Sequence, residues 1–380
     1  MSEGAAGPTP ELEKSQSLRF EKVTLRSFRN IESAALEPSP RFNLISGNNG
    51  QGKTRILEAL YAVATTRSFR TERLAQAVRT GDLEARVSAS VREGSFARQL
   101  ALKLGQRARS VELDGKRPKT LSSYAVRTPL VVFHPRDLEL VTGSATERRR
   151  LLDRLILYAD PPGAEAARRY GEALKERQRL LDTRGVSAPE LGDFERVAAE
   201  HGARFARARA EAAERLLPEL HRAFRSVAPA GLELVAAHLA GGSPDVGSFE
   251  LELRARRPED SRRGRASFGP QRDDLALSID GRAARSDASQ GQQRLLSLSL
   301  KLAELRCIER ARRAHPVLLL DDVSSELDAA RTDSVLALLE ASQGQIFVTT
   351  TRPELFSTSA FSGAERVSYR VENGRVSEQK

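Results

Sequence analysis

Gly47 to Thr54 (GNNGQGKT) limits what this 380-residue chain can fold into more than any other stretch. The pattern G-x-x-x-x-G-K-T works as a phosphate loop only between a strand and a helix. Both flanks are present. Arg41 to Ser46 (RFNLIS) carries Phe42, Leu44 and Ile45 close together, as a buried strand does, and Ile56, Leu57, Leu60, Val63 and Ala64 then recur at helical spacing. In that setting Gly47, Asn48, Asn49, Gly50, Gln51, Gly52, Lys53 and Thr54 are expected to bind ATP. The glycines let backbone N–H groups turn inward on the phosphates, and the helix N-terminus adds the positive end of its dipole. Lys53 brings a point charge to the β/γ oxygens, and the Thr54 hydroxyl is an expected Mg²⁺ ligand.

A second half to this site is legible further on. Val317 to Leu320 is a continuous apolar run, the pattern of a parallel strand buried on both faces. Asp321 ends it, where open α/β sheets bind their ligands. Asp321 is therefore expected on Mg²⁺ opposite Thr54, a Walker B arrangement. Asp322 follows and is expected to orient a water in line with the γ-phosphate; a turn cap toward Ser324 and Ser325 is its simpler use. Ser289-Gln290-Gly291-Gln292-Gln293-Arg294 opens a helix with Leu295, Leu298, Leu302, Leu305 and Ile308 on one face. Its N-terminus is a second anion site, or merely an N-cap by Ser289.

The segments between carry fewer signals. Residues 1–17 are polar and read as a disordered tail without the apolar core of a signal peptide. Arg19 to Ser27 alternates as a strand, and residues 85–115 alternate as an antiparallel meander. From about 136 to 230 the period is helical. Phe194, Ala198, His201, Phe205, Ala208 and Ala212 form a heptad-like seam expected against the helix of residues 165–183, with His201 a packed boundary histidine. Pro218 and Pro229 are expected to punctuate its end, and Arg254 to Arg265 (RARRPEDSRRGR) reads as a solvated connector. Leu275, Leu277 and Ile279 form a strand ending in Asp280-Gly281, and Ile346 to Val348 is another buried strand. The expected fold class is α/β: an ATPase head built from residues 18–135 and 266–380, with an antiparallel β lobe and an inserted helical arm domain over 136–265.

Composition matters chiefly for partners. The formal charge is +10, carried mostly by arginine, whose planar fork suits phosphates, though genomic composition bias raises arginine equally well. Arg148, Arg149 and Arg150, with Arg254, Arg256 and Arg257, are the candidate DNA contacts. Cys307, the one cysteine, excludes an internal disulfide framework and sits on an apolar stripe as a packed thiol in a reducing cytosol. No apolar run is long enough to span a bilayer.

ABC-type ATPases place a motif like Ser289–Gln292 against the γ-phosphate held by a second copy. Here the order of phosphate loop, signature, Walker B and Ser325-Glu326-Leu327-Asp328 (a D-loop look-alike) fits that use. A head of this type split by a helical insertion resembles the SMC-like ATPases and, within them, the RecF family. The residues that carry this are LRSFRNIES near the start, TTRSFRTE (65–72), PRDLELVTGSATERRRLLD (135–153), FGPQRDDL (268–275), SQGQQR (289–294) and LLLDDVSSELDAARTDSVL (318–336). The chain departs from the family pattern at Arg136, Ala145 and Leu151, and at Gln271, where the family has His. The resemblance implies an ATP- and DNA-binding, ATP-dependent homodimer acting with RecR and RecO at single-strand/double-strand junctions of gapped DNA. It implies promotion of RecA loading in gap repair, replication restart and SOS induction, weak DNA-stimulated hydrolysis with Lys53 and Asp322 as catalytic residues, and a nucleoid-associated cytoplasmic location. Thr349-Thr350-Thr351 stands where transporter ATPases carry a His, which fits slow turnover. A transporter ATPase, an SMC-like ATPase of another DNA-processing or defence system, and ATP as a purely structural ligand are the competing classes.

Overall fold

The computed structural model describes residues 16–106, 108–322, 343–356 and 365–379; the expected tail to residue 15 and the D-loop look-alike lie outside them. β1 (Gln16–Phe28) and β2 (Ile31–Leu36) open the described chain as an antiparallel pair, β1 beginning three residues before the expected strand at Arg19 and inside the expected tail. β3 (Phe42–Ser46), the glycine loop and α1 (Lys53–Thr65) follow. β4 (Glu84–Glu93), β5 (Phe96–Gly105) and β6 (Arg109–Leu113) form the meander, with β4 returning against β1. Strand alternation turns Val87, Ala89, Val91, Leu100, Leu102 and Leu104 inward and leaves Arg86 and Lys103 outside.

After α2 (Leu121–Ala125), β7 (Leu130–Phe133) re-enters the interior. The arm then begins: α3 (Glu139–Thr142), α4 (Ala145–Ala159), α5 (Pro161–Arg184) and α6 (Leu191–Val227). β8 (Leu234–Leu239), α7 (Val246–Ala255), α8 (Arg257–Arg263), β9 (Asp274–Ile279) and β10 (Arg282–Ala283) follow. α9 (Gln290–Arg312), β11 (Ala314–His315), β12 (Val317–Asp321), β13 (Ile346–Thr350), β14 (Arg366–Glu372) and β15 (Arg375–Gln379) complete the head.

The central sheet runs β15-β14-β3-β13-β12-β7, parallel throughout except for β15. Its core strands are apolar on both faces because both are covered. Leu44, Leu318, Leu320 and Val348 pack with Leu152, Leu216 and Leu300 of the helical side. Ile45, Leu319 and Phe347 pack with Ile56, Leu60 and Leu25 of α1 and the lobe. The parallel order brings the carboxyl ends of β3, β13 and β12 to one edge, and the site is built there.

Three expectations need correction. Pro218 lies inside α6 rather than at its end. Its ring removes one backbone hydrogen bond, but Leu216 and Leu220 on either side are fully buried, so tertiary packing carries the helix through. Arg254 to Arg265 is not a solvated connector. Pro258 fixes the first turn of α8, and Asp260 on that helix is buried, accepting from Arg177 at 2.8 Å and from the Ser267 hydroxyl at 2.7 Å. β8 lies within the expected arm yet pairs with β9 beyond residue 265, so the small sheet β10-β9-β8 crosses that boundary.

Arg177 is the arm's internal clamp. It is fully buried, donating to Glu195 at 3.1 Å, to Asp260 at 2.8 Å and to the Leu253 carbonyl at 2.6 Å. An Arg177→Ala chain would leave the buried Asp260 carboxylate without its cation, while Glu195 keeps Arg257, a loss of about 3–5 kcal/mol. Denaturant unfolding should show that drop, whereas Arg179→Ala, on an exposed side chain, should leave the midpoint unchanged.

Candidate functional site

The glycine loop has the backbone its sequence demands. Gly47, Gly50 and Gly52 take φ of 150°, 80° and 122°. A Cβ on Gly47 would lie 2.4 Å from the Val371 carbonyl oxygen, so only glycine fits against β14. The loop is held from outside by the Gln51 carbonyl, which accepts from Asn30 Nδ2 at 3.1 Å and from the Gly374 N–H at 3.0 Å. Asn30 belongs to the β1–β2 turn, and its part in fixing the loop was not evident from its place in LRSFRNIES.

Lys53 is buried, and its ammonium donates to the Gly47 and Asn48 carbonyls at 2.8 and 3.0 Å. Burial lowers its pKa, and the Asp322 and Asp321 charges oppose that. The Thr54 hydroxyl donates to Asp321 Oδ1 at 2.7 Å, joining two segments 267 residues apart. Thr349 donates to the same oxygen at 2.8 Å and accepts the Asp322 N–H at 3.0 Å. Burial raises the Asp321 pKa, and the hydrogen bonds from Thr54 and Thr349 hold it back. Both bonds fall on Oδ1, which leaves Oδ2 for a cation. This hard-oxygen pair fits Mg²⁺, which takes one or two protein oxygens and fills its octahedron with phosphate and water. No group of three metal-ligating side chains occurs among the described residues, as such a site requires none. Thr349 was visible in sequence only as the residue replacing a His; here it orders the turn after β12.

The signature segment is built as a helix start. Ser289 Oγ accepts the Gln292 N–H at 3.2 Å, and Gln292 Oε1 accepts the Ser289 N–H at 2.9 Å, a reciprocal capping box. The simpler reading of Ser289 is thus realised, and it leaves the N–H groups of Gln290 and Gly291 in the first turn. Among the described residues no hydrogen bond or ion pair joins 289–292 to 47–54. Gln271, where the family has His, accepts from Tyr170 Oη at 2.7 Å and donates to the Phe268 carbonyl at 2.6 Å, stitching α5 to the turn before β9.

The expected DNA contacts fare differently. Arg148 is buried and forks onto Asp274 at 2.6 and 3.0 Å, so it cannot reach a phosphate backbone. That expectation is corrected: the motif TERRRLLD looks basic in sequence, but one of its arginines faces inward. Arg149 donates to the Asp273 carbonyl at 2.9 Å, Arg150 pairs with Glu147 at 2.6 Å and with Glu72, Arg254 pairs with Glu250, Arg256 with Glu252 at 2.9 Å, and Arg257 with Glu195 at 2.9 Å. A different basic surface emerges from strand register. Arg26 of β1 stands opposite Arg86 of β4, which stands opposite Lys103 of β5. Arg26 and Arg86 are exposed on the outer face of the lobe. Lys103 pairs with Glu84 at 2.6 Å; the opposed Arg26 and Arg86 remain as like charges facing each other across the ladder, which is unfavourable and suits an anionic partner.

Cys307 is half-buried against the Arg215 carbonyl, and burial pushes its thiol up to about 12. It is a packed thiol as expected. No described helix is long and apolar enough to cross a membrane.

Known proteins agree with this architecture. The RecF/RecN/SMC N-terminal domain family matches residues 19–374. A DNA replication and repair protein RecF from Anaeromyxobacter sp. (strain Fw109-5) is 39% identical over 369 residues, covering 95% of this chain and 99% of that protein. A solved structure of the recombination mediator protein RecF with ATP, from the RecFOR pathway, superposes with a TM-score of 0.86 at 27% identity, covering 96% of this chain and 98% of the other. An Smc head domain with an extended coiled coil from Pyrococcus furiosus, at 18% identity and a TM-score of 0.54, shares the fold over 96% of each chain.

Proposed function

This chain belongs to the RecF family of DNA replication and repair proteins, and from that membership we propose that it is an ATP-dependent dimerising clamp on gapped DNA. In this reading each ATP is held by Gly47–Thr54 of one copy and touched by Ser289–Gln292 of another. Partners of the RecR and RecO kind and loading of a RecA-type recombinase follow from the family's pathway, as does a role in gap repair, replication restart and the SOS response. Lys53 neutralises the phosphates, and Thr54 with Asp321 would hold Mg²⁺, which would supply further charge screening to the phosphates. Asp322 orients the attacking water. Loss of the γ-phosphate removes the contact to the second copy, and the dimer opens, a ligand-driven population shift. Turnover is slow, is raised by DNA, and serves as a switch in the cytoplasm and at the nucleoid.

The observation that carries this reading is the Thr54–Asp321 hydrogen bond at 2.7 Å, which joins the glycine loop to the end of β12, while among the described residues Ser289–Gln292 makes no bond to either. The outer face of the lobe, with Arg26 and Arg86, is the proposed DNA surface. Its exposed cations interact with phosphates, so binding should weaken steeply with salt. Light scattering tests the proposal. The native chain should double in mass with ATP and Mg²⁺, and a Ser289→Arg chain should still bind ATP but remain single. A native chain that stays monomeric with ATP on gapped duplexes overturns it.

A further inference from the structure

The stretch SQGQQR runs past the four residues that the clamp mechanism uses, and Gln293 is left without a task there. Its side chain has one in the structure. Gln293 Nε2 donates to the Ala284 carbonyl at 3.2 Å and to the Arg285 carbonyl at 3.1 Å. Both carbonyls belong to the turn between β10 and α9. The start of that turn is fixed, because Ala284 is fully buried and donates its N–H to the Leu277 carbonyl of β9 at 2.9 Å. The Asp287 N–H closes the turn on the Ala283 carbonyl at 2.9 Å. Between Ala284 and the half-buried Ala288, the residues Arg285, Ser286 and Asp287 are exposed. Hydrogen bonds rather than apolar contacts therefore carry the middle of this turn onto Ser289.

Two devices act at this helix start, and they do different things. The capping box of Ser289 and Gln292 is internal to the first turn. It satisfies N–H groups there but ties the turn to nothing outside the helix. Gln293 supplies that tie. It joins α9 to the end of β10, β10 pairs with β9, and β9 pairs with β8. The signature turn is thereby seated on the small sheet. Hydrogen bonds weaken steeply once donor and acceptor are misaligned. The N–H groups of Gln290 and Gly291 can meet a phosphate carried by another copy only where the helix start keeps a fixed place on its own head. We propose that Gln293 is a positioning residue for the contact between copies. It sets where the signature turn stands and does not itself touch the nucleotide. The proposal rests on the reading of Ser289–Gln292 as the site that touches the second copy's ATP.

A Gln293→Leu chain tests it, with Gln293→Glu as a second variant. Leucine keeps an apolar side chain of similar size and removes the donor; glutamate keeps the shape and sets a carboxylate against two carbonyls. Calorimetry on dilute protein, where the chain is single, should give both variants the native affinity for ATP. Light scattering across a dilution series with ATP and Mg²⁺ should show association of the copies weaker by about 10- to 100-fold, the loss that a misplacement of about 1 Å brings to a positioned group. A role in stability alone would lower the melting temperature and leave the ATP-dependent association constant at the native value. Native association by a folded variant therefore overturns the proposal. So does an equal loss of ATP affinity in the single chain, and so does failure of both variants to fold. A Ser289→Arg chain that dimerises with ATP would instead overturn the reading of the signature beneath it.

Discussion

A Lys53→Met chain should fold normally and lose ATP-dependent dimerisation altogether. Methionine keeps the length and the apolar stem of the side chain. What leaves is an ammonium that now donates to the Gly47 and Asn48 carbonyls. Those two bonds are worth about 0.5–1.5 kcal/mol each in a folded protein, so the melting temperature without nucleotide should fall only slightly. The nucleotide loses far more. A charge pair in a desolvated site costs about 2–5 kcal/mol when one partner is truncated, or roughly a 30- to 4,000-fold weaker affinity for ATP. A dimer closed on two nucleotides suffers that loss twice, so its association constant falls as the square of the affinity loss. Thermal melting reads the first effect directly: ATP at about 100 times the native dissociation constant adds about 2.7 kcal/mol to the native chain and should add no more than about 0.9 kcal/mol to the variant. Light scattering reads the second. A variant that dimerises with ATP as the native chain does would show that the triphosphate is not what joins the copies.

The parts of this site that the sequence announced are those whose chemistry is local. A glycine loop between a strand and a helix, and an aspartate ending a buried strand, each follow from a handful of adjacent residues. Strand alternation in the lobe and the apolar run of β12 were legible for the same reason, since the period of burial is written along the chain. What could not be read was set by contacts between distant segments. Nothing in the spacing of Thr349 shows that it will bond Asp321, or that Asn30 will hold Gln51. Arg148 and Arg149 are neighbours with identical side chains; only the packing of α4 against β9 buries the first on Asp274. Pro218 misled because a local rule against proline in helices lost to the packing of Leu216 and Leu220. The row of Arg26, Arg86 and Lys103 exists only in the register of three strands, so no window along the sequence contains it.

An Asp322→Asn chain should separate dimerisation from turnover. Asp322 sits immediately after β12 with a φ of 49°, in the left-handed region. Asparagine tolerates that conformation about as well as aspartate, and its backbone N–H can keep the bond to Thr349 Oγ1 at 3.0 Å. The substitution therefore changes one thing, the carboxylate. Asp322 is the largest opposing charge on Lys53, and a carboxylate that faces Lys53 also faces the phosphates Lys53 is to hold. Its removal relieves repulsion of the γ-phosphate, so ATP should bind at least as tightly as before and the dimer should form. Positioned bases contribute about 10²–10⁴-fold to a rate, and single-turnover phosphate release should slow by that order. The dimer, left with an intact γ-phosphate, should then persist correspondingly longer in light scattering after free ATP is removed. Asp322→Ala would slow release as well, but it would also lower the melting temperature, because alanine is strained at this φ. Release at the native rate from the asparagine variant would assign Asp322 to the turn alone, and would leave the water to be oriented by another group at the same sheet edge.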